Sequence, residues 1–171
     1  WKITKWNNCI YFQSFTDVFK YCDGKISASD ETNYFILFLL NTGNRIIAQD
    51  VYRGIVELND DLTFTVINNN KDIIDADFKT ALHLKDNKYV LGSGTKGLYI
   101  LEGNEIQPWD TEAHQILKDK QINTGISDGK YFYIGTILDG LYIIDKNGEV
   151  INHFSTRNYL SNNTVLGIYF D

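Results

Sequence analysis

Methionine is absent from this chain, proline occurs once, at Pro108, and cysteine only twice, at Cys9 and Cys22. A sequence that opens on Trp1 without methionine reads as an excised or processed piece of a longer product. No apolar run reaches the ~18 residues that a membrane-spanning helix needs. The longest, Tyr34 to Leu40, is too short, and no signal peptide stands at the start, so any export signal or anchor would lie outside these residues. Basic residues are also few, 16 Lys+Arg against 22 Asp+Glu, for a net charge of -6. That balance argues against nucleic acid as a partner, because phosphate binding wants a basic footprint.

What remains is a globular composition: 43% hydrophobic and 22% charged over 171 residues, by default one domain. Aromatics are abundant, with 11 Tyr, 10 Phe and 3 Trp. Together with β-branched residues and many Gly, Asn and Asp, they point to short strands separated by turns. The two cysteines flank a hairpin. With its turn near Thr16-Asp17, Cys22 faces Tyr11 rather than Cys9, so two free buried thiols are expected. A disulfide is compatible with the count, and the redox compartment stays open.

A repeat organises the chain. Ile46-Ile47-Ala48-Gln49-Asp50 leads to Gly54-Ile55-Val56-Glu57-Leu58. Tyr89 to Ser93 leads to Gly97 to Leu101, and Phe132 to Thr136 leads to Gly140 to Ile144. The spacing from Ile55 to Leu98 is 43 residues, and from Leu98 to Leu141 again 43. A weaker first copy runs from Cys9 to Ser14 and on to Val18–Tyr21, with Phe19 standing 36 residues before Ile55. Strands precede each motif at 81–84 and 124–126, and strands follow it at 62–67, 105–109 and 149–154. Asp60-Asp61, Gly103-Asn104 and Asn147-Gly148 supply the last turn of each unit.

Four short strands in about 40 to 45 residues is the pattern of a β-propeller blade. The fold class predicted is therefore all-β: a propeller fragment of about four blades of four antiparallel strands, plus the first strand of a further blade. The blades fall near 1–30, 31–68, 80–109 and 123–154, with the extra strand at 165–170. Glycine at 54, 97 and 140 suits a turn that needs positive φ. One short helix is predicted over Thr111 to Asp119, capped by Asp110 or Thr111.

The text becomes specific over 131–171: Tyr131 to Thr136, Asp139-Gly140-Leu141-Tyr142-Ile143-Ile144-Asp145, Asn147 to Ile151, and Asn158 to Leu166. Ile10 to Phe15 and Gln107-Pro108-Trp109-Asp110-Thr111-Glu112 add to it. In these stretches the chain resembles the two-component regulator propeller repeat of Bacteroidetes-type sensors, both hybrid histidine kinases and propeller/triple-tyrosine-domain transcriptional regulators. It departs from the repeat at Val18 and Tyr159, where such repeats place glycine. The resemblance implies a periplasmic, ligand-sensing ectodomain of an inner-membrane protein, with further blades, a β domain and an output module elsewhere in the protein.

Residue chemistry adds little to that. Asp60/Asp61 and Asp75/Asp77 read as turn and inter-blade loop carboxylates rather than an acid/base pair. His83, His114 and His153 are too dispersed for a metal set, so neither metal nor cofactor is expected. Gly92 to Gly97 precedes a strand, not a helix, which makes it a turn instead of a phosphate loop. The exposed polar-aromatic cluster most suited to a ligand is Trp109 with Asp110, Glu112 and His114, at the start of an irregular insertion. The expected function is non-catalytic sensing, with an oligosaccharide or other small ligand and a homodimer among its partners. A propeller used purely for interaction or dimerisation is the alternative, and a glycan-active enzyme comes last.

Overall fold

Alternating patterns such as the buried–exposed–buried run of Cys9, Ile10 and Tyr11 make half-buried strands, and turn residues close them at short intervals. The computed structural model describes residues 2–29 and 34–170, so the expected boundary between the first two blades lies outside the described residues. Its strands form four antiparallel four-stranded sheets, each in chain order. The first holds β1 (Ile3–Trp6), β2 (Cys9–Gln13), β3 (Val18–Cys22) and β4 (Lys25–Ala28). The second holds β5 (Ile36–Asn41), β6 (Ile46–Asp50), β7 (Gly54–Leu58) and β8 (Phe64–Asn68). A helix, α1 (Lys71–Ile74), precedes the third sheet of β9 (Phe78–Lys85), β10 (Lys88–Ser93), β11 (Gly97–Glu102) and β12 (Glu105–Pro108). Then α2 (Glu112–Leu117) leads into β13 (Ile122–Ser127), β14 (Phe132–Thr136), β15 (Leu141–Ile144) and β16 (Val150–Phe154). Two compact units result, Trp1–Asp77 and Phe78–Asp171.

In the first unit, Cys9, Tyr11 and Val18 of the first sheet pack on Ile36, Leu39, Ile46, Ala48 and Val56 of the second. The pairing of β5 with β6 slips between Ile36 and Leu39, which leaves backbone groups off the ladder. Buried Gln13 satisfies them: its Oε1 accepts from the Leu39 N–H at 2.6 Å, and its Nε2 donates to the Ile36 and Leu37 carbonyls at 3.3 and 3.2 Å. Gln49, at the same place in the second sheet, donates to the Ile73 and Ile74 carbonyls of α1. In the second unit, the matching positions are Gly92 and Gly135. There a Cβ would collide with Ile122 and Thr80, and with Val165, respectively.

The expectation of free thiols is corrected. Cys9 and Cys22 form a disulfide, with Cα atoms 4.6 Å apart. Gln13 pairs with Val18, and the Ser14 N–H donates to the Asp17 carbonyl, so the turn is centred between Phe15 and Thr16. That is one residue earlier than the sequence reading, and a turn centre moved by one moves the cross-strand partner by two.

A second regularity sits where the second strand of each sheet ends. Ser14, Asp50, Ser93 and Thr136 each place a side-chain oxygen to accept the N–H three residues on, from Asp17, Arg53, Lys96 and Asp139. These local bonds fix the turn into the third strand. Gly54, Gly97 and Gly140 open that strand in the last three sheets at φ +83, +82 and +82.

The predicted helix at 111–119 is present as α2, capped by Thr111, whose Oγ1 accepts from the His114 N–H. Its Ala113 and Leu117 are buried in the second unit's core with Leu98, Phe132 and Ile134. The loop read around Asp75 instead contains the single turn of α1, capped by Asn70. Residues 165–170, expected as a first strand, make no ladder. The segment is tied to the fourth sheet: the Val165 N–H donates to the Thr136 carbonyl, and the Asn123 amide donates to the Val165 carbonyl. At Tyr159 the backbone takes φ +69, the conformation a glycine would hold there.

Candidate functional site

The second unit opens a cleft of about 520 Å³. The β9–β10 hairpin contributes Leu84, Lys85 and Lys88, and β11 and β12 contribute Ile100 and Gln107. Trp109 forms a further wall just after β12, and the tip of the β15–β16 hairpin supplies Lys146 and Asn147. Asp145 builds that tip: its Oδ1 accepts the N–H groups of Asn147 and Glu149 at 2.8 and 2.9 Å. Gly148 at φ +82 then passes against Thr111, and its carbonyl accepts from the Ala113 N–H of α2. The helix is thereby docked on the same hairpin that carries Lys146.

Lys146 is the most constrained of the three lysines. Its ammonium donates to the His83 carbonyl at 2.7 Å and lies 3.9 Å from the centre of the Phe132 ring. Burial pushes its pKa down, partly offset by the charge of Asp128. Lys88 pairs with Glu102 at 2.8 Å on the rim, Lys88 half-buried and Glu102 exposed. Lys85 is exposed and has no ion-pair partner among the described residues. Trp109 is half-buried, its ring edge-on to Phe132 at 6.2 Å, and its indole N–H donates to no group among the described residues.

Of the four residues grouped by the sequence, only Trp109 lines the cleft. Asp110 is exposed beyond β12. Glu112 is turned to the fourth sheet, where its Oε2 accepts from the Val150 N–H at 3.1 Å. His114 faces β11, with Nδ1 2.7 Å from the Leu98 carbonyl and its ring edge-on to Tyr99. The lysines went unnoticed in the sequence. The signal available was their position at hairpin tips, Lys85 and Lys88 about Asp86-Asn87, and Lys146 beside Asn147-Gly148.

A second polar cluster surrounds Asp139 in the turn before β15. Its Oδ2 accepts from the Lys120 ammonium at 2.8 Å and from the Tyr142 hydroxyl at 2.6 Å. The His153 ring stacks on Tyr142 at 4.1 Å, with Nε2 4.0 Å from Asp139 Oδ1. Burial alone pushes the Asp139 carboxyl up, but hydrogen bonds from Lys120 and Tyr142 and the charge of Lys120 outweigh it and hold it below the usual range. Burial and Asp139 together push the Tyr142 hydroxyl up. All these partners are internal, so the cluster locks the turn. His83 likewise meets the Asp86 carbonyl at 3.0 Å. Among the described residues no three His, Cys, Asp or Glu side chains gather as a metal site. Nor is any helix long and apolar enough to cross a membrane.

No protein-family model matches the chain, and no curated protein matches it. Solved structures do. Virginiamycin B lyase from Staphylococcus aureus aligns at TM-score 0.65 and 11% identity over 90% of this chain and 55% of its own. The extracellular domain of a candidate one component system from B. thetaiotaomicron aligns at TM-score 0.64 and 14% identity, over 89% of this chain and 22% of its own. That of a candidate hybrid two component system from the same organism gives 0.60 and 15%, over 98% and 29%. The chain thus spans about half or less of the length of these structures. At such identities the likeness is one of fold: the chain is an all-β protein of propeller type, built from four antiparallel four-stranded sheets.

Proposed function

We propose that this chain is a ligand-sensing propeller segment of a membrane-linked signal-transduction protein, and that it performs no catalysis of its own. The observation that carries the reading is the cleft walled by Trp109 and set with Lys85, Lys88 and Lys146. It offers an aromatic face, polar side chains and apolar flooring on rigid sheets, which is the make-up of a small-ligand site. Among the described residues no carboxylate or histidine lines it to serve as a general acid or base. The Cys9–Cys22 disulfide supports an extracytoplasmic, periplasmic location, because such bonds persist in oxidising compartments. The fold likeness to two extracellular sensor domains agrees with this reading.

Thermal-shift and calorimetric titration of the chain against an oligosaccharide panel tests it. A ligand at about 100 times its Kd stabilises the folded state by about 2.7 kcal/mol, a readily seen rise in Tm. Silence across the panel would sink the sensing reading. Turnover of any bound glycan would sink the non-catalytic one.

A second reading, an interaction or dimerisation surface, is favoured by the first sheet. One of its faces carries Ile3, Ile10, Tyr21 and Ile26, exposed at 74, 40, 43 and 67%. Self-association in sedimentation velocity, abolished by Ile10→Lys, would support that alternative.

A further inference from the structure

We infer that the Trp109 cleft takes an anionic saccharide, a sugar carrying a carboxylate or sulfate group. The inference rests on the sensing reading above and adds the ligand's charge class.

The charge distribution is the first ground. The chain carries a net charge of -6, yet among the described residues the cleft lining holds three lysines and no acidic residue. Glu102 stands exposed on the rim, paired with the half-buried Lys88, and a pair open to solvent on its acidic side has little net worth for a ligand anion to displace. Lys85 is exposed with no ion-pair partner among the described residues. Lys146 feels the charge of Asp128 but forms no ion pair with it among the described residues, and its anchors are neutral oxygens. The His83 carbonyl takes one of its three protons and Ser127 Oγ lies at 3.5 Å, which leaves donor capacity for a ligand oxygen. Because that ammonium is partly withdrawn from water, an approaching anion gains more there than at a freely hydrated lysine.

Shape and chemistry supply the second ground. A pyranose ring has an apolar C–H face and a rim of hydroxyls. Trp109 offers a flat apolar surface for the first. The amides of Gln107 and Asn147 both donate and accept, as the hydroxyls require. About 520 Å³ suits one or two sugar rings and is far from the extended basic track of a nucleic-acid site.

The test is calorimetric titration of the chain at low salt with trigalacturonate, a sulfated chondroitin disaccharide, neutral cellotriose, inorganic sulfate and AMP. Binding of either acidic sugar, at least tenfold tighter than cellotriose and weakened by added salt, is the expected result. Lys85→Gln and Lys146→Gln should each weaken it roughly tenfold, as removal of one charge-assisted hydrogen bond does. Exposed Lys85 keeps the test valid if Lys146→Gln fails to fold. Cellotriose binding equally well and indifferent to both substitutions would overturn this inference while leaving the sensing reading intact. No saccharide binding at all would overturn both. Inorganic sulfate competing at the same strength would mean an adventitious anion only, and AMP binding more tightly than the sugars would put a nucleotide in their place; either result overturns the inference.

Discussion

Replacing Asp50 with alanine removes a side-chain acceptor that serves three backbone N–H groups of the first unit. The carboxylate is completely buried. Oδ2 accepts from the Phe35 N–H at 2.8 Å, and Oδ1 accepts from the Tyr52 and Arg53 N–H groups at 2.9 and 2.7 Å. The Arg53 guanidinium stands 3.6 Å away, half in solvent. A hydrogen bond to a charged group contributes about 1.5–3 kcal/mol, and a buried donor left unpaired adds its own penalty. Tyr52 is exposed, so water can rescue its N–H and the three contributions will not sum fully. The expected cost is about 3–4 kcal/mol. Ser93→Ala, which frees the Thr95 and Lys96 N–H groups from a neutral hydroxyl, should cost about 1–1.5 kcal/mol. Asp50→Ser keeps an oxygen within reach of Arg53 but cannot also reach Phe35, and should fall between the two. Urea unfolding supplies the free energies, and amide exchange at Phe35, Tyr52 and Arg53 reports the bonds themselves. Should Asp50→Ala cost no more than Ser93→Ala, the buried carboxylate would not be what holds this turn.

Other consequences are open to the same measurements. Reducing the Cys9–Cys22 disulfide, of sequence separation 13, should cost about 3 kcal/mol and act on the first unit, read from Trp6 fluorescence; an unchanged unfolding curve would refute it. Gly140→Ala should cost more than Gly129→Ala, although both sit at positive φ, because only at Gly140 would the new Cβ strike the Phe154 carbonyl. Equal losses in urea would exclude that contact as the reason for glycine. Tyr159→Gly should stabilise by up to about 1 kcal/mol, since a left-handed residue costs about 1–2 and glycine's extra freedom returns part of that; a loss would sink the idea. Asp139 has its folded pKa depressed, so it contributes stability above its unfolded pKa, near 3.9, that is lost as pH falls through the folded value. Wild type should therefore exceed Asp139→Asn in stability at neutral pH, and the gap should close in acid. A constant gap from pH 7 to pH 2 would contradict it.

The repeat was legible because each copy joins two strands through a polar turn ending in Gly54, Gly97 or Gly140, and glycine at positive φ leaves a visible mark. Helix α2 was legible for a similar reason, a threonine cap before an apolar pair, Ala113 and Leu117. The disulfide was not. Thr16-Asp17 and Phe15-Thr16 are equally plausible turn centres on residue type, and only the Gln13–Val18 register decides between them. Helix α1 is a single turn, shorter than one period of any pattern. The cleft was hidden for another reason. Sequence proximity drew Trp109, Asp110, Glu112 and His114 together, whereas packing sends Glu112 to Val150 and His114 to Leu98. The partner that Trp109 acquires, Lys146, is brought there by a bond between residues 63 apart.

The acceptor at the end of each second strand has a consequence for how such proteins diverge. Four copies fill one role with Ser14, Asp50, Ser93 and Thr136, because the turn asks for an oxygen at a fixed distance and not for a residue. The neighbouring position is looser still, accepting a long amide at Gln13 and Gln49 or no side chain at Gly92 and Gly135. A rule of this kind constrains geometry while leaving the alphabet free. Letters can then drift apart even between copies inside one chain.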